Sequence, residues 1–405
     1  MKEKTLSISI AKLIIALNLI VGIGVILGIT GYSLKVNNES SMNSTQQIEI
    51  SVPSVSESES RNLKILKDPP EEIRAIYLTA FSAGSSEKMD SYIDLIKKEN
   101  FNAVVVDIKD ASGNIAYDIN VPDVDRYDAK YIKIKQIDEL IERLHNNNIY
   151  AVARIVVFED PIVAKKRPDL AIKNKLTGGL WENYQGIEWI DPASMEYRDY
   201  IVKIAKEASE RGFDEINFDY IRFPSDGPLR QMSFPFYNDK EQSKREAMRE
   251  VFEHFRSSLP DISISVDLFG LATINDGDLG IGQTIEDTFE NFDYICPMVY
   301  PSHYANGFIG FQNPAQYPHE VVKYSIEYAH NRLEAYRIAN QEDIEDQNKS
   351  LAEIRPWLQA FDIGAIYGPN MIKAQIDASN VSGGVGWILW NASNRYSSRV
   401  VGIND

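Results

Sequence analysis

From residue 73 onward the chain switches repeatedly between two hydrophobic periods. Short apolar runs with strand-like alternation are separated by longer amphipathic stretches, apolar at helical spacing. The runs are IRAIYLT (73–79), NAVVVDIK (102–109), IYAVARIVVF (149–158), FDEINFDYI (213–221), ISISVDLF (262–269), YICPMVY (294–300), IRPWLQAF (354–361) and GGVGWILWN (383–391). Helices are predicted near 87–99, 133–146, 196–211, 239–258, 284–289, 319–338 and 369–379. Strands alternating with helices imply parallel pairing through crossovers, and eight such units over residues 71–400 predict an α/β fold, a (β/α)8 TIM barrel with loop insertions. Pro356 makes the seventh strand the least regular. An open doubly wound sheet is the alternative, but LTAFSAGSS after the first strand is not its Gly-rich phosphate turn.

Barrel strands alternate between a helix-facing and a lumen-facing side. In 213–221 this phase sends Ile216, Phe218 and Tyr220 outward and Glu215, Asn217 and Asp219 into the lumen. In 262–269 it opposes Ile262, Ile264 and Val266 to Ser263, Ser265 and Asp267. In 102–109 it opposes Val104, Val106 and Ile108 to Ala103, Val105, Asp107 and Lys109. Three strands thus bring an aspartate to the lumen at their C-terminal ends, the rim where sites of this fold lie. Each alone also reads as a structural acid paired with Arg154 or Lys109.

Before residue 71 the pattern differs. Lys2, Lys4 and Lys12 precede a run from Leu13 to Leu34 without a charged residue, long enough to span a bilayer. Residues 1–34 therefore read as a cytoplasmic tip and transmembrane anchor, with the remaining chain outside the cell membrane. A cleaved signal peptide and a secreted protein form the alternative. Residues 35–70 are polar and Ser-rich, a flexible linker. The net charge of −17 disfavours nucleic acid as a partner. It also favours a neutral or cationic glycan over an acidic one. A single cysteine, Cys296, excludes a disulfide framework and a four-cysteine zinc site.

Paired carboxylates at a barrel rim suit glycosidic cleavage, one ionised and the other donating a proton. Asp219 and Asp267 lie on neighbouring strands, within reach across one sugar. Aromatic residues that suit sugar faces gather in the rim segments: Trp181, Tyr184 and Trp189 in the third loop, Tyr300 and Tyr304 after the sixth strand, and Trp387 and Trp390 on the eighth. Trp387 is expected in the core, while Trp390 can line the cleft. The loop 159–194 is long enough for a binding loop or lid. A metal-dependent hydrolase using Asp107, Asp219 and Asp267 is a rival, although the five histidines lack the short spacing of zinc sites. A non-catalytic glycan-binding barrel is another. No cofactor is expected.

The segments AIYLTAFSAGS, VVVDIKDASG, WIDPAS, INFDYIRFPSDG, VDLFG, IGQTIED and YICPMVYPSHY resemble, in order, the glycoside-hydrolase-like barrel domains of bacterial envelope proteins. The likeness covers roughly residues 70–399 and implies action on an envelope or extracellular polysaccharide. DEINFDYI also resembles the acidic strand of chitinase-type barrels. Asn217 replaces one acid there, however, and Ile221 stands where the proton donor belongs. The likeness is closer to amylase-like barrels, which implies Asp219 as nucleophile or base and Asp267 as acid. Arg222 would then hold a carboxylate ionised or bind a substrate oxyanion, with a surface pair to Asp226 as the alternative. Asp107, Lys109, Gln283, Tyr300, His303 and Trp390 are the remaining substrate-binding candidates.

Overall fold

The computed structural model describes residues 65–346 and 350–396. The expected anchor at 1–34 and most of the linker at 35–70 lie outside the described residues. Among the described residues, no helix is long and apolar enough to cross a membrane.

Nine strand segments form one closed, wholly parallel ring: β1 (Ile73–Leu78), β2 (Ala103–Lys109), β3 (Tyr150–Val156), β4 (Glu215–Asp219), β5 (Ile264–Phe269), β6 (Tyr294–Met298), β7 (Glu353–Ile354), β8 (Trp357–Gln359) and β9 (Gly386–Trp390). β7 and β8 are two pieces of the expected seventh strand. Proline supplies no N–H for a ladder bond, and the break falls at Arg355 and Pro356. Both pieces pair with β6, and β8 also pairs with β9. β9 closes the ring on β1, where Gly386 opposes Ile73 at φ 78°. A Cβ on Gly386 would lie 2.1 Å from the Ile73 carbonyl oxygen, so the seam requires glycine.

The main outer helices are α1 (Ser86–Lys98), α2 (Ile137–His145), α3 (Met195–Arg211), α4 (Lys244–Ser258), α5 (Pro318–Ala339) and α6 (Pro369–Val381). Ser243 and Glu246 form a reciprocal capping box that starts α4. The helix expected near 284–289 is only a 3-10 turn, Ile285–Thr288. The outward residues of the strands pack against the helices, as Phe218 does on Phe255 at 4.7 Å between ring centroids. A second, smaller apolar cluster fills the lumen with Ala75, Tyr77, Val105, Tyr150, Val152, Cys296 and Trp357.

The polar lumen positions of β4 are built as layers. At the bottom, Glu215 accepts from Arg355 Nη1 at 3.0 and 3.1 Å, and Tyr294 stacks 3.6 Å from the Arg355 guanidinium carbon. Asn217 donates to Ser265 one level higher, at 3.0 Å. Asp219 reaches the mouth. The three polar side chains of that strand therefore serve three successive levels of the barrel.

Candidate active site

At the mouth, β2, β4 and β5 deliver Asp107, Asp219 and Asp267 around one guanidinium, that of Arg154 on β3. Arg154 Nη1 donates to Asp107 Oδ1 at 2.5 Å, and Nη2 donates to Asp219 Oδ2. Its Nε lies 3.8 Å from Asp267 Oδ2. Arg154 occupies the lumen phase of β3, level with Asp107 and Asn217. Its ion-pairing role is therefore larger than the sequence indicated, because it joins two aspartates and approaches a third. Among the described residues, no group of three or more His, Cys, Asp or Glu side chains is placed to hold a metal ion.

The three carboxyls have different surroundings. Asp107 takes a further bond from the Tyr77 hydroxyl, and burial raises its pKa. Asp219 Oδ1 accepts its neighbour Tyr220's N–H at 2.6 Å, with Tyr220 held at φ 52°, in the left-handed region. Asp267 Oδ1 accepts from Asn217 Nδ2 at 2.9 Å and from Trp357 Nε1 at 2.7 Å. Its Oδ2 is enclosed and has no hydrogen-bond partner among the described residues. Burial first, and the neighbouring Asp219 charge second, raise the Asp267 pKa well above the usual carboxylate range. That arrangement favours the protonated form of Asp267, beside an Asp219 that is paired with Arg154.

Both aspartates line an open cleft of about 800 Å³, within the size range of small-ligand sites. Only 5% of Asp219 and 1% of Asp267 is accessible, so they form the floor rather than the walls. Asp107, Arg222, Tyr300, His303 and Trp390 also line it. Trp390 stacks on Tyr77 with centroids 4.0 Å apart and lies 5.2 Å from the Arg154 guanidinium carbon. His303 Nδ1 is 3.0 Å from Ser302 Oγ, and burial lowers the pKa of its imidazole.

Several expectations need correction. Lys109 does not reach the cleft. The register slips between Asp107 and Lys109, so Lys109 pairs with the outward-facing Ile155. It is wholly buried, donating to the Val156 carbonyl at 2.8 Å and pairing with Asp160 at 3.0 Å. Gln283 is also structural. Its amide accepts from Phe269 N–H at 3.0 Å and donates to the Asp267 carbonyl at 3.2 Å, clamping the end of β5. Trp181 and Trp189 are fully buried and Tyr184 is exposed, and none of the three lines the cleft. Gly227, at φ 105°, packs so closely on Trp181 that a Cβ would lie 2.8 Å from the indole. Trp387 is in the core, as expected. Sequence reasoning missed Tyr77, Trp357 and Phe269 as cleft residues. It also missed the buried Glu159, which does not line the cleft and whose pKa burial pushes up to about 7.

A family model described as "Putative glycosyl hydrolase domain" matches residues 75–396. The chain belongs to this family of glycosyl hydrolase domains. The glycoside hydrolase domain of PgaB (BpsB) from Bordetella bronchiseptica has a similar fold, with a TM-score of 0.54 at 13% identity. The match covers 80% of this chain and 94% of that one. TtGalA, an α-galactosidase from Thermus thermophilus, gives a TM-score of 0.50 at 11% identity, over 84% of this chain and 62% of that one. A hypothetical protein from Ruminiclostridium thermocellum ATCC 27405 is 39% identical, with a TM-score of 0.44, over 47% of this chain and 96% of that one. No curated protein matches the sequence.

Proposed function

We propose that the protein is a glycoside hydrolase that cuts a cell-envelope or extracellular polysaccharide. Asp267 donates the proton to the leaving oxygen. Asp219 attacks the anomeric carbon, or activates the water that does. The observation that carries this reading is the pairing of a buried, raised-pKa Asp267 with an Arg154-bound Asp219 carboxylate on the floor of one open cleft. A buried carboxyl of raised pKa beside a second one paired with a cation is what acid-assisted glycosidic cleavage needs. Asp107 and Tyr77 keep Arg154 in place, and Trp390, Tyr300 and His303 supply ring faces and hydrogen-bonding groups to a sugar. The domain boundaries at 34 and 70 and the extracytoplasmic location belong to the same proposal. They rest on the lysines before the uncharged run 13–34 and on the Ser-rich stretch after it.

The test is release of reducing ends from purified envelope and exopolysaccharide fractions, with Asp219→Asn as the control. Release by the wild type alone supports hydrolysis. Glycan retention without release, unchanged by Asp219→Asn, supports the non-catalytic binding module instead.

A further inference from the structure

Three strongly basic side chains line the cleft: Lys133, Arg154 and Arg222. Lys133 is paired with Asp110 at 2.5 Å, and Arg154 with Asp107 and Asp219. Arg222 has no ion pair among the described residues, and the pair with Asp226 expected as an alternative does not form. It is nevertheless only 6% accessible. Aromatic rings surround it, the guanidinium carbon lying 4.6 Å from Phe269, 5.0 Å from Trp189 and 5.1 Å from Tyr220. One nitrogen, Nη1, donates to the Phe223 carbonyl and to Ser225 Oγ, both at 3.1 Å. Nε and Nη2 have no hydrogen-bond partner among the described residues. Unlike Arg154 Nε, they are not among the fully enclosed atoms, and Arg222 lines the cleft.

A guanidinium withdrawn from water loses solvation that an uncompensated site does not return. Cation–π contacts recover part of it and fix the plane, but they leave the in-plane N–H groups unsatisfied. An oxyanion placed at that edge would accept two parallel charge-assisted hydrogen bonds. Asp219 is already committed to Arg154, and Glu159 and Asp226 act on Arg222 at a distance without forming an ion pair with it.

We propose that Arg222 receives an oxyanion carried by the sugar itself, the carboxylate of a uronic acid or a phosphate substituent, so that the ligand is an acidic glycan. This rests on the glycosidase reading for its substrate class. It reverses the expectation drawn from the chain's net charge, because the whole-surface charge does not describe one wall of the cleft. Titration calorimetry of the full chain with glucuronate, galacturonate and glucose 6-phosphate, against glucose and galactose, tests it. The expected result is at least tenfold tighter binding of one acidic sugar than of its neutral counterpart, weakened by added salt. The carboxylate and phosphate arms identify which oxyanion is taken. Arg222→Gln should abolish the preference, and Arg222→Lys, which keeps the charge, should retain part of it. Acidic and neutral sugars binding within twofold, no acidic sugar binding, or a preference that survives in Arg222→Gln would each overturn the assignment. Failure of the glycosidase reading is seen separately: acidic sugars then bind while no polysaccharide releases reducing ends.

Discussion

Replacing Asp267 by asparagine separates the two protonation states open to this carboxyl. If Asp267 is neutral in the folded protein, asparagine is close to an isostere. Its oxygen keeps the bonds from Asn217 and Trp357, at 2.9 and 2.7 Å, and its amide replaces the protonated oxygen. The change should then cost less than about 1 kcal/mol near pH 4, the scale of one ordinary hydrogen bond. If Asp267 is instead an anion paired with Arg154 Nε at 3.8 Å, removing its charge breaks a buried ion pair. That costs about 3–5 kcal/mol. The pH dependence carries the same information. A carboxyl whose folded pKa lies above its unfolded one binds more protons when folded. Its contribution therefore falls as pH rises from about 4 toward the folded value, by up to about 1.4 kcal/mol per pH unit. The wild type should lose stability relative to Asp267→Asn along that range. Urea denaturation of both proteins between pH 4 and 8 measures the difference. A loss of 3 kcal/mol or more at pH 7, with a wild-type advantage that grows with pH, would refute the reasoning.

Asp219→Asn should remain folded but weaken the protein by about 1.5–3 kcal/mol, the scale of a hydrogen bond to a charged group. Asp107 still compensates Arg154, and differential denaturation reads the loss. Glu159→Gln should gain on the wild type as pH rises from about 4.5 to about 7 and then level off, because the raised Glu159 pKa is lost with its carboxyl. Urea midpoints across that range check the sign. Gly386→Ala should be destabilised by at least about 1–3 kcal/mol from backbone conformation alone, with further cost from the clash on Ile73, and thermal unfolding measures it.

The barrel was legible because a two-residue period separates outward from inward positions, and polar residues among apolar lumen neighbours stand out. Asp219 and Asp267 were found this way, and Arg154 was visible in the same phase of IYAVARIVVF. Lys109 was misplaced because one irregularity after Asp107 inverts the phase, and no residue in VVVDIK marks it. Trp357 was obscured because Pro356 splits its strand. Trp181 and Trp189 looked like rim aromatics, but the third loop folds back and buries them with Gly227 against the indole. Gln283 required knowledge of which strand its loop covers, information that spacing along the chain does not contain. Arg222 shows the opposite case. Its sequence context left a surface pair with Asp226 open as an alternative, whereas three rings from three separate segments surround it.

The division of labour between the two aspartates is tested most directly by neutron diffraction from crystals held at pH 7. A deuteron on Asp267 Oδ2, with none on Asp219, is the predicted result. A deuteron on Asp219, or two unprotonated carboxylates facing Arg154, would contradict the assignment of acid and nucleophile.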